Sequence, residues 1–500
     1  MEKVVFINPN DSLYNIKKNK TVYENLGIGY LSAALKTQNI KSVIFDECIE
    51  DIDYTNLKQA LKDSILVGIS CYDSTFERAI ELAQIVKKEV ANVPIVFGGY
   101  FPTMCFEEIM KEYKNTIDYI IIGEGEFSVI QLVEHIKDNI RVEQVPGLIY
   151  YKNDKLVKNE YSYNNFYRSI FPDRYSLEKI PVELRIASLV SSRGCYGSCT
   201  FCSINSFHGI TRTRGWRPRE YNNVVDEIQD LMDKYEVTKF EFVDETFLGV
   251  LNDENTHAID FADEIKRRNI KIQFSIECRA DEISEERIKQ LYEAGLRNVL
   301  IGVESGNNEI LCKFSKNIDT KMILKSIEIL NKYKINYKVG YLILHPYSTL
   351  DTIYKDLTFL QQIASNEFFR SKPRKMCIYH NTPIQKSVEK EKRLIGSYRH
   401  YDFRYLDSRV ERFELIVQEI FDIIKPAVIR NELTDKLKMA IKEKNEKETK
   451  DVIKMLNLFN LKLNSIFDLL IVIVEKLLKD KCDDVYLNNF YKKIKKANKI

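Results

Sequence analysis

The sequence predicts an α/β protein in three parts: a doubly wound, Rossmann-like parallel sheet, a partial (β/α)6 barrel of the TIM type, and a helical C-terminal region. Short apolar, β-branched runs alternate with helical periodicity in two separate series, and these runs cease after about residue 380. A hairpin pattern followed by a Tyr/Asn-rich linker, at residues 141–185, separates the two series. These observations define the domain organisation that we expect.

The first series occupies residues 1–140 and contains five runs typical of buried parallel strands. The predicted strands are Val4–Asn8, Val43–Asp46, Ile65–Cys71, Pro94–Gly99 and Tyr119–Gly123. Helical periodicity between them is clearest in Gly29–Gln38 and Phe76–Val90. Strands and helices that alternate in this way form an open sheet with helices on both faces. The ligands of such a sheet bind beyond the carboxyl ends of its strands.

The second series occupies residues 186–380 and has six strand patterns, fewer than the eight of a closed barrel. The predicted strands are Ser188–Ser192, Lys239–Val243, Lys271–Ile276, Asn298–Val303, Tyr337–Leu344 and Lys375–Tyr379. Helices are predicted between them, for example over Tyr221–Lys234 and Ser284–Ala294. Six repeats predict a partial barrel, whose active site is expected at the carboxyl ends of the strands.

Residues 381–500 show helical patterns over Val410–Ile424, Glu432–Glu443 and Ile453–Lys479, and we predict no strands there. These helices carry no motif that identifies a function, and we expect them to shape or cap the substrate site. The longest apolar run near the C-terminus, Leu469–Val474, is far shorter than the ~20 residues that a membrane-spanning helix needs. A packed helix is therefore expected.

The composition excludes several classes of protein. With 44% hydrophobic and 30% charged residues in a chain of 500, the sequence is typical of globular proteins with large cores. A formal net charge of +2 gives no electrostatic footprint for nucleic acid or for an anionic membrane, so neither is expected as a partner. Ten cysteines are too sparse for a disulfide framework, and the N-terminus enters a strand without a signal-peptide pattern. We therefore expect a cytoplasmic protein.

Three cysteines form the most informative motif, in the run Ser-Arg-Gly-Cys195-Tyr-Gly-Ser-Cys199-Thr-Phe-Cys202. The spacing C-x3-C-x2-C can supply three thiolates to a [4Fe–4S] cluster, which leaves one iron open to an outside ligand. The loop follows the first strand of the second series, at the mouth where barrel active sites lie. Two other interpretations stay open on spacing alone. The thiols could be buried packing groups, or they could bind zinc with His208 as a fourth ligand.

This spacing resembles the signature of radical S-adenosylmethionine (SAM) enzymes. The resemblance implies that the amino and carboxylate groups of SAM bind the open iron and that Phe201 lies against the adenine. It also implies that SAM is cleaved to a 5′-deoxyadenosyl radical, which abstracts hydrogen from an unactivated carbon. An electron donor such as flavodoxin or ferredoxin would be needed as a partner.

Further segments match the radical SAM barrel in the same order. Asp244 and Glu245 end the second strand of the series, where the family holds the ammonium of SAM. Arg279, in an Arg-Ala-Asp segment, would grip the carboxylate of SAM by paired hydrogen bonds. Glu304, after the fourth strand, would face the ribose. Any one of these acids could equally be half of a salt bridge, but several in the right order favour the functional interpretation.

Four arginines cluster just after the cysteine loop, at Arg212, Arg214, Arg217 and Arg219. They could contact a phosphate on a substrate or cofactor, or they could hold the loop and cluster in place. We favour the second interpretation.

The strand ends of the first series resemble the cobalamin-binding domain of cobalamin-dependent radical SAM enzymes. The residues that this resemblance assigns to cobalamin are Ser70, Gly98, Gly99, Thr103, Gly123, Gly125 and Glu126. Glycines at strand ends allow the backbone to approach a large cofactor closely, although tight turns alone could also require them. The loop after the first strand lacks the His of the usual Asp-x-His-x-x-Gly motif, so we expect no protein imidazole below the cobalt.

Together, the resemblances imply a cobalamin-dependent radical SAM enzyme with a [4Fe–4S] cluster, SAM and cobalamin as cofactors. The activity expected first is methyl transfer to an unactivated carbon of a natural-product or peptide substrate. A second hypothesis keeps these cofactors but ends in cyclisation or rearrangement. A tRNA methylthiotransferase-like enzyme is a third, because Cys48, Cys71 and Cys105 could hold a second cluster. A cobalamin- or metal-dependent sensor with a degenerate barrel is the alternative from outside catalysis.

Overall fold

The computed structural model describes residues 2–10, 24–252, 254–363, 374–443 and 445–497. The N-terminal part contains strands β1 (Lys3–Asn8), β2 (Lys41–Asp46), β3 (Ser64–Ser70), β4 (Ile95–Gly98), β5 (Tyr119–Ile121), β6 (Leu148–Lys152) and β7 (Lys155–Lys158). Its helices are α1 (Leu26–Lys36), α2 (Tyr54–Leu61), α3 (Phe76–Glu89), α4 (Tyr100–Met104), α5 (Phe106–Tyr113) and α6 (Glu126–Ile136).

These strands form one sheet in the order β2-β1-β3-β4-β5-β6-β7. Strands β1 to β5 are parallel, and the order 2-1-3-4-5 is that of a doubly wound sheet, which confirms the predicted fold. The hairpin β6–β7 adds to β5 in antiparallel orientation. Two apolar cores cover the two faces of the sheet, because each central strand sends alternate side chains to opposite sides.

The second part begins with β8 (Ala187–Leu189) and forms a second parallel sheet. Its further elements are β9 (Ser192–Arg193), α7 (Ser203–Thr211), β10 (Arg217–Pro218), α8 (Tyr221–Tyr235), β11 (Lys239–Phe242), α9 (His257–Arg267), β12 (Gln273–Arg279), α10 (Glu285–Ala294), β13 (Leu296–Glu304), α11 (Asn308–Lys313), α12 (Thr320–Lys332), β14 (Asn336–Tyr341) and α13 (Leu350–Ile363). The sheet order is β14-β13-β12-β11-β8, all parallel.

Two details differ from the predicted barrel strands. The first strand is divided, since β8 joins the barrel sheet whereas β9 pairs with β10 to brace the cysteine loop. The sixth strand is reduced to one parallel bridge between Leu344 and Lys375. The structure therefore has five regular barrel strands and a sixth position marked by that bridge, as expected for a barrel that does not close.

The C-terminal part is helical, apart from one hairpin that we did not predict. Its elements are α14 (Pro383–Lys390), β15 (Leu394–Ser397), β16 (His400–Phe403), α15 (Arg409–Ile424), α16 (Pro426–Lys442), α17 (Glu446–Leu478) and α18 (Asp484–Ala497). The hairpin escaped prediction because its strands have only four residues and alternate weakly. Buried residues of α15, α17 and α18 share the core of the barrel, so these helices are docked on it. No helix within the described residues is both long and apolar enough to cross a membrane.

Candidate functional site

A cavity of about 680 Å³ lies between the two sheets, at the carboxyl ends of the strands of both. The N-terminal domain lines it with Ser70, Gly98, Gly99, Gly123, Gly125 and Glu126. The barrel lines it with Ser188, Ser192, Arg193, His208, Glu241 and Glu245. Six of the seven residues that the sequence assigned to cobalamin therefore border the same space as a residue assigned to SAM.

The glycines at this edge serve different purposes. At Gly98 an added Cβ would meet nothing nearer than a backbone oxygen at 3.8 Å, so glycine leaves room toward the cavity. At Gly99 (φ +105°) an added Cβ would lie 2.9 Å from the Cys71 carbonyl oxygen, so the turn itself requires glycine. At Gly123 (φ +78°) it would collide with Tyr161. The prediction that glycine makes room for cobalamin therefore rests mainly on Gly98. It also rests on Gly125, where an added Cβ would make only ordinary contacts, at 3.4 Å or more.

Thr103 does not line the cavity, but its hydroxyl forms hydrogen bonds with the two turns beside it. Its hydroxyl donates to the Gly99 carbonyl oxygen at 2.8 Å and accepts from the Gly123 N–H at 3.0 Å. It thereby ties the end of β4 to the end of β5. Ser70 accepts a hydrogen bond from Asn25 Nδ2 at 3.4 Å. The part of the lower-ligand loop from residue 11 onward lies outside the described residues.

Ion pairs join the two domains beside the cavity. Arg193 of the barrel donates to Glu126 at 2.6 Å and to Glu124 at 3.2 Å, and its guanidinium lies over the ring of Tyr167. Arg217 pairs with Glu124 as well. Removing either partner of such a buried pair leaves an uncompensated charge, so these contacts fix how the domains meet.

Two of the four clustered arginines thus have structural roles. Arg217 holds the interface, and Arg219, fully buried, donates to Glu227 of α8 at 2.7 Å and to the Val190 carbonyl oxygen at 2.7 Å. Arg212 and Arg214 are exposed. The interpretation that the cluster holds the loop in place agrees with this geometry for Arg217 and Arg219.

The cysteine loop is shaped around its three thiols. Each sulfur has an N–H donor: the Gly197 N–H lies 3.3 Å from Cys195 Sγ, Arg279 Nη1 lies 3.5 Å from Cys199 Sγ, and backbone N–H groups at the start of α7 stabilise the thiolate of Cys202. Hydrogen bonds to cluster-bound sulfurs are among the features that tune iron–sulfur centres. Burial raises the pKa of the free Cys195 thiol to about 11 and of Cys202 to about 12, so a bound metal is needed to hold them as thiolates.

The zinc alternative finds no support in the geometry. His208 turns its Nδ1 to Thr213 Oγ1 at 2.8 Å and its Nε2 toward Glu245, away from the thiols. Across the described ranges, no three His, Cys, Asp or Glu side chains converge closely enough to hold a single ion. A [4Fe–4S] cluster does not require such convergence, because each thiolate binds a different iron. The residues present therefore fit a cluster better than a zinc ion.

Glu245 connects the cysteine loop with the N-terminal domain. Its carboxylate accepts from the Gly194 N–H at 3.1 Å and from the hydroxyl of Tyr100 at 3.0 Å, and His208 Nε2 lies 3.9 Å away. Burial alone would raise the pKa of Glu245, but the nearby imidazole and the Tyr100 hydroxyl lower it below the ordinary value. An ionised carboxylate at the cavity wall suits the ammonium-binding role that we predicted for it.

Asp244 faces the opposite way and is fully buried. It accepts from the Ser191 N–H at 3.1 Å and from the hydroxyls of Ser191 and Ser192 at 2.8 and 2.6 Å. Burial raises its pKa to about 7. Of the two acids predicted at this strand end, only Glu245 lines the cavity and is available to a ligand. Asp244 instead stabilises the backbone just before the cysteine loop through its hydrogen bonds with Ser191 and Ser192.

Arg279 and Glu304 lie on either side of Lys316. Arg279 forms paired hydrogen bonds with Asp281, at 2.9 and 3.1 Å, and contacts the Lys316 carbonyl oxygen. Glu304 has a left-handed backbone (φ +69°), and its carboxylate accepts from Lys316 Nζ at 2.9 Å. Arg279 is thus held against the cysteine loop by Asp281. Phe201, on the loop itself, meets Phe314 edge-on with ring centroids 5.1 Å apart.

Sequence reasoning missed four residues of the site. Tyr100 directly follows the predicted Gly-Gly turn, so its position was a usable signal. Lys316 lies between α11 and α12, where no pattern distinguished it. Glu241 and Glu277 lie on strands β11 and β12, and their significance depends on which face of the barrel sheet they occupy.

The pH dependence of stability provides a test of the charge state in the barrel. Partial burial, with Glu241 and Glu245 nearby, raises the pKa of Glu277 from 4.5 to about 6. The folded state therefore holds this proton more tightly than the unfolded chain, and stability falls as pH rises from about 4.5 to 6. We expect Glu277→Gln to stabilise the protein by about 0.5–1 kcal/mol at pH 8, after allowance for exposure, and by only about a fifth of that at pH 4.5. Urea unfolding of Glu277→Gln beside the exposed control Glu286→Gln measures this, and an equal offset at both pH values would contradict it.

Two family models match the chain, and they divide it as the structure does. The B12 binding domain model matches residues 15–133, and the radical SAM superfamily model matches residues 189–360. The first match covers β2 to β5, four of the five parallel strands, and includes the glycine-rich edge. The second begins at the end of β8, includes the cysteine loop and ends in α13.

Similar proteins include both methyltransferases and cyclases by name. An uncharacterized methyltransferase of Pyrococcus horikoshii is 26% identical over 349 residues, a match that covers 68% of this chain and 73% of the relative. An anaerobic magnesium-protoporphyrin IX monomethyl ester cyclase of Cereibacter sphaeroides is 26% identical over 326 residues, which cover 62% of this chain but only 51% of that protein. The solved structure of the cobalamin-dependent SAM radical enzyme OxsB with aqua-cobalamin has a TM-score of 0.78 at 20% identity, over 99% of this chain and 76% of that chain, and shows the same fold.

Proposed function

Because the chain unites a B12 binding domain with a radical SAM domain, and so belongs to the cobalamin-dependent radical SAM enzymes, we propose that it is a methyltransferase acting on an unactivated carbon of a natural-product or peptide substrate. The matches confirm both resemblances and the expected cofactors, a [4Fe–4S] cluster, SAM and cobalamin. When bound, these groups supply the radical cleavage of SAM and the carriage of a methyl group. The single observation behind the proposal is the shared cavity, into which the cobalamin-binding edge and Glu245 both face.

Different residues around this cavity have different binding roles. Cys195, Cys199 and Cys202 hold the cluster, and Arg279, fixed by Asp281, places a positive charge beside it. Glu245 would offer a carboxylate to the ammonium of SAM, Glu304 would serve the ribose and Phe201 the adenine. Asp244 supports the strand end before the cysteine loop. With SAM bound, these side chains would fix its orientation at the cluster, and their contribution would be one of positioning.

On the other wall, the N-terminal domain holds cobalamin. Gly98 and Gly125 keep space open at the ends of β4 and β5, and Gly99, Thr103 and Gly123 form the hydrogen-bonded turns beside them. Ser70 and Glu126 complete the edge, with Glu126 paired to Arg193 of the barrel. Because that ion pair crosses the interface, the cofactor edge and the barrel mouth keep a fixed separation. A substrate between them can then be presented to both.

SAM labelled on its methyl group tests the proposal. With the true substrate, a reductant and both bound cofactors, we expect the label in the product and 5′-deoxyadenosine and S-adenosylhomocysteine released together. SAM labelled in its adenosine is the matched control, and its label should stay out of the product. If 5′-deoxyadenosine accumulates with the true substrate while the methyl label never enters a product, methyl transfer is contradicted.

That contrary result would favour cyclisation or rearrangement with the same cofactors, and the similarity to a protein named as a cyclase makes this the second candidate. The methylthiotransferase-like alternative has less support. It would need a second cluster on Cys48, Cys71 and Cys105, yet Cys71 and Cys105 are buried in the core of the first domain.

Radical SAM enzymes take electrons from a reductant and act on small-molecule or peptide substrates. We infer that a flavodoxin or ferredoxin supplies the electrons here. Thiolates that must hold iron are best preserved in a reducing compartment, so the cytoplasm is the proposed location.

A further inference from the structure

One residue of the N-terminal domain contacts the barrel acid that we assign to SAM. Tyr100 is the first residue of α4 and directly follows Gly98 and Gly99, which we assign to cobalamin. Its hydroxyl donates to Glu245 Oε1 at 3.0 Å, and both residues line the cavity. The other oxygen of this carboxylate accepts from the Gly194 N–H, at the start of the cysteine loop. Glu245 is therefore held from both domains at once.

The ring of Tyr100 is fixed by its neighbours. It packs against Phe207 of α7, with ring centroids 4.5 Å apart, and stacks on Tyr72 at 6.1 Å. The Thr103 hydroxyl donates to the carbonyl oxygen of the residue just before Tyr100, at 2.8 Å. Burial and the nearby Glu245 carboxylate raise the pKa of Tyr100 well above its ordinary value, so the hydroxyl keeps its proton and stays a donor. A donor that is already ordered loses little conformational entropy when a ligand binds.

A buried imidazole beside the same carboxylate points to a ligand there. His208 is 3% exposed and lines the cavity, and its Nε2 has no hydrogen-bond partner within the described part of the chain. This nitrogen lies 3.9 Å from Glu245 Oε1, too far for a direct hydrogen bond. A buried polar atom without a partner is costly unless a water or a bound molecule satisfies it. The ammonium that we predict at Glu245 would be such a partner.

We propose that Tyr100 is a positioning residue for SAM: from the cobalamin-binding domain, its hydroxyl holds the Glu245 carboxylate in the orientation that receives the SAM ammonium. The inference rests on the proposed function, because it concerns the SAM site of that enzyme. A carboxylate oxygen can accept a second hydrogen bond, so Tyr100 does not block the ammonium. Without this hydroxyl, SAM itself would have to order the carboxylate, and its binding would weaken. The SAM site is thus shared by the two domains.

The test removes the hydroxyl and keeps the ring, with Tyr100→Phe. We expect this variant, loaded with cluster and cobalamin, to bind SAM about three- to tenfold more weakly than the wild type. Equilibrium dialysis with labelled SAM, without a reductant, measures the affinity. Bound cobalamin, measured by absorbance, should equal that of the wild type. Tyr72→Phe is the matched control, because it removes the hydroxyl of the stacked ring that lines the same cavity, and it should bind SAM like the wild type.

Two comparisons show whether the hydroxyl acts through the carboxylate. In a double-mutant cycle, Tyr100→Phe should change the SAM affinity by less than about twofold in a Glu245→Gln background. The desamino analogue of SAM, which lacks the ammonium, should bind the wild type and Tyr100→Phe equally. The analogue decides the question if Glu245→Gln binds too little SAM to measure.

Four results would overturn the inference. They are an unchanged SAM affinity in Tyr100→Phe, an equal loss in both Glu245 backgrounds, an equal loss for SAM and its desamino analogue, and a loss of cobalamin that parallels the loss of SAM. The binding assay does not depend on methyl transfer. Failure of methyl-label transfer with this selective effect intact would therefore reject the proposed function alone, and label transfer with an unchanged SAM affinity would reject this inference alone.

Discussion

We expect the protein with Cys195→Ala, Cys199→Ala and Cys202→Ala to bind no cluster iron and to release no 5′-deoxyadenosine. The three thiols are the ligands that we predict for the cluster, and each sulfur has its own N–H donor. Without thiolates there is no centre to deliver an electron to SAM, so activity should fall below detection rather than by a modest factor. Iron analysis after anaerobic reconstitution, together with chromatographic detection of 5′-deoxyadenosine, measures both effects.

The matched control is Cys312→Ala, which changes an exposed cysteine outside the loop. It should keep the iron content and SAM cleavage of the wild type. Retention of a full cluster by the triple variant would contradict the assignment. A wild-type content equivalent to two clusters, half of it lost in the triple variant, would instead revive the methylthiotransferase-like alternative and direct attention to Cys48, Cys71 and Cys105.

The second large effect is expected at Gly98. Its backbone is in an ordinary conformation, and an added Cβ meets nothing closer than 3.8 Å, so the fold should accept a side chain there. We expect Gly98→Ala to retain cobalamin and Gly98→Phe to reduce bound cobalamin at least about tenfold, because a ring projecting from this edge competes for the space of the cofactor. Absorbance of the reconstituted protein measures occupancy, and circular dichroism verifies that each variant is folded.

The Gly98→Phe variant also separates the cleavage of SAM from the transfer of the methyl group. Gly98→Phe leaves the cysteine loop, Arg279 and Glu245 intact, so 5′-deoxyadenosine should still form in uncoupled turnover while methylated product is absent. Cobalamin occupancy equal to that of the wild type in Gly98→Phe would show that the cofactor does not occupy this edge. Gly99→Val is a weaker test, because its positive φ and the 2.9 Å approach to the Cys71 carbonyl oxygen would strain the chain whatever binds there.

Much of the fold was predictable because its signals are local. Parallel strands buried on both faces are continuous apolar runs, and the intervening helices have their own period, so β1 to β5 and β11 to β14 were found to within a few residues. Short or exposed elements were not found. The hairpin β15–β16 and the division of the first barrel strand depend on pairings that four-residue runs do not encode.

The residues of the functional site show the same difference between local sequence signals and tertiary contacts. The spacing of the three cysteines and the glycines at the strand ends are properties of contiguous sequence, and they alone determined the expected chemistry. Which of two neighbouring acids meets the cavity was decided by tertiary structure: Glu245 meets Tyr100, 145 residues away in sequence, whereas Asp244 turns to Ser191 and Ser192. The pairing of Arg193 with Glu126 has the same origin. Such contacts depend on how two sheets and a barrel lumen are arranged in space, and no local periodicity carries that information.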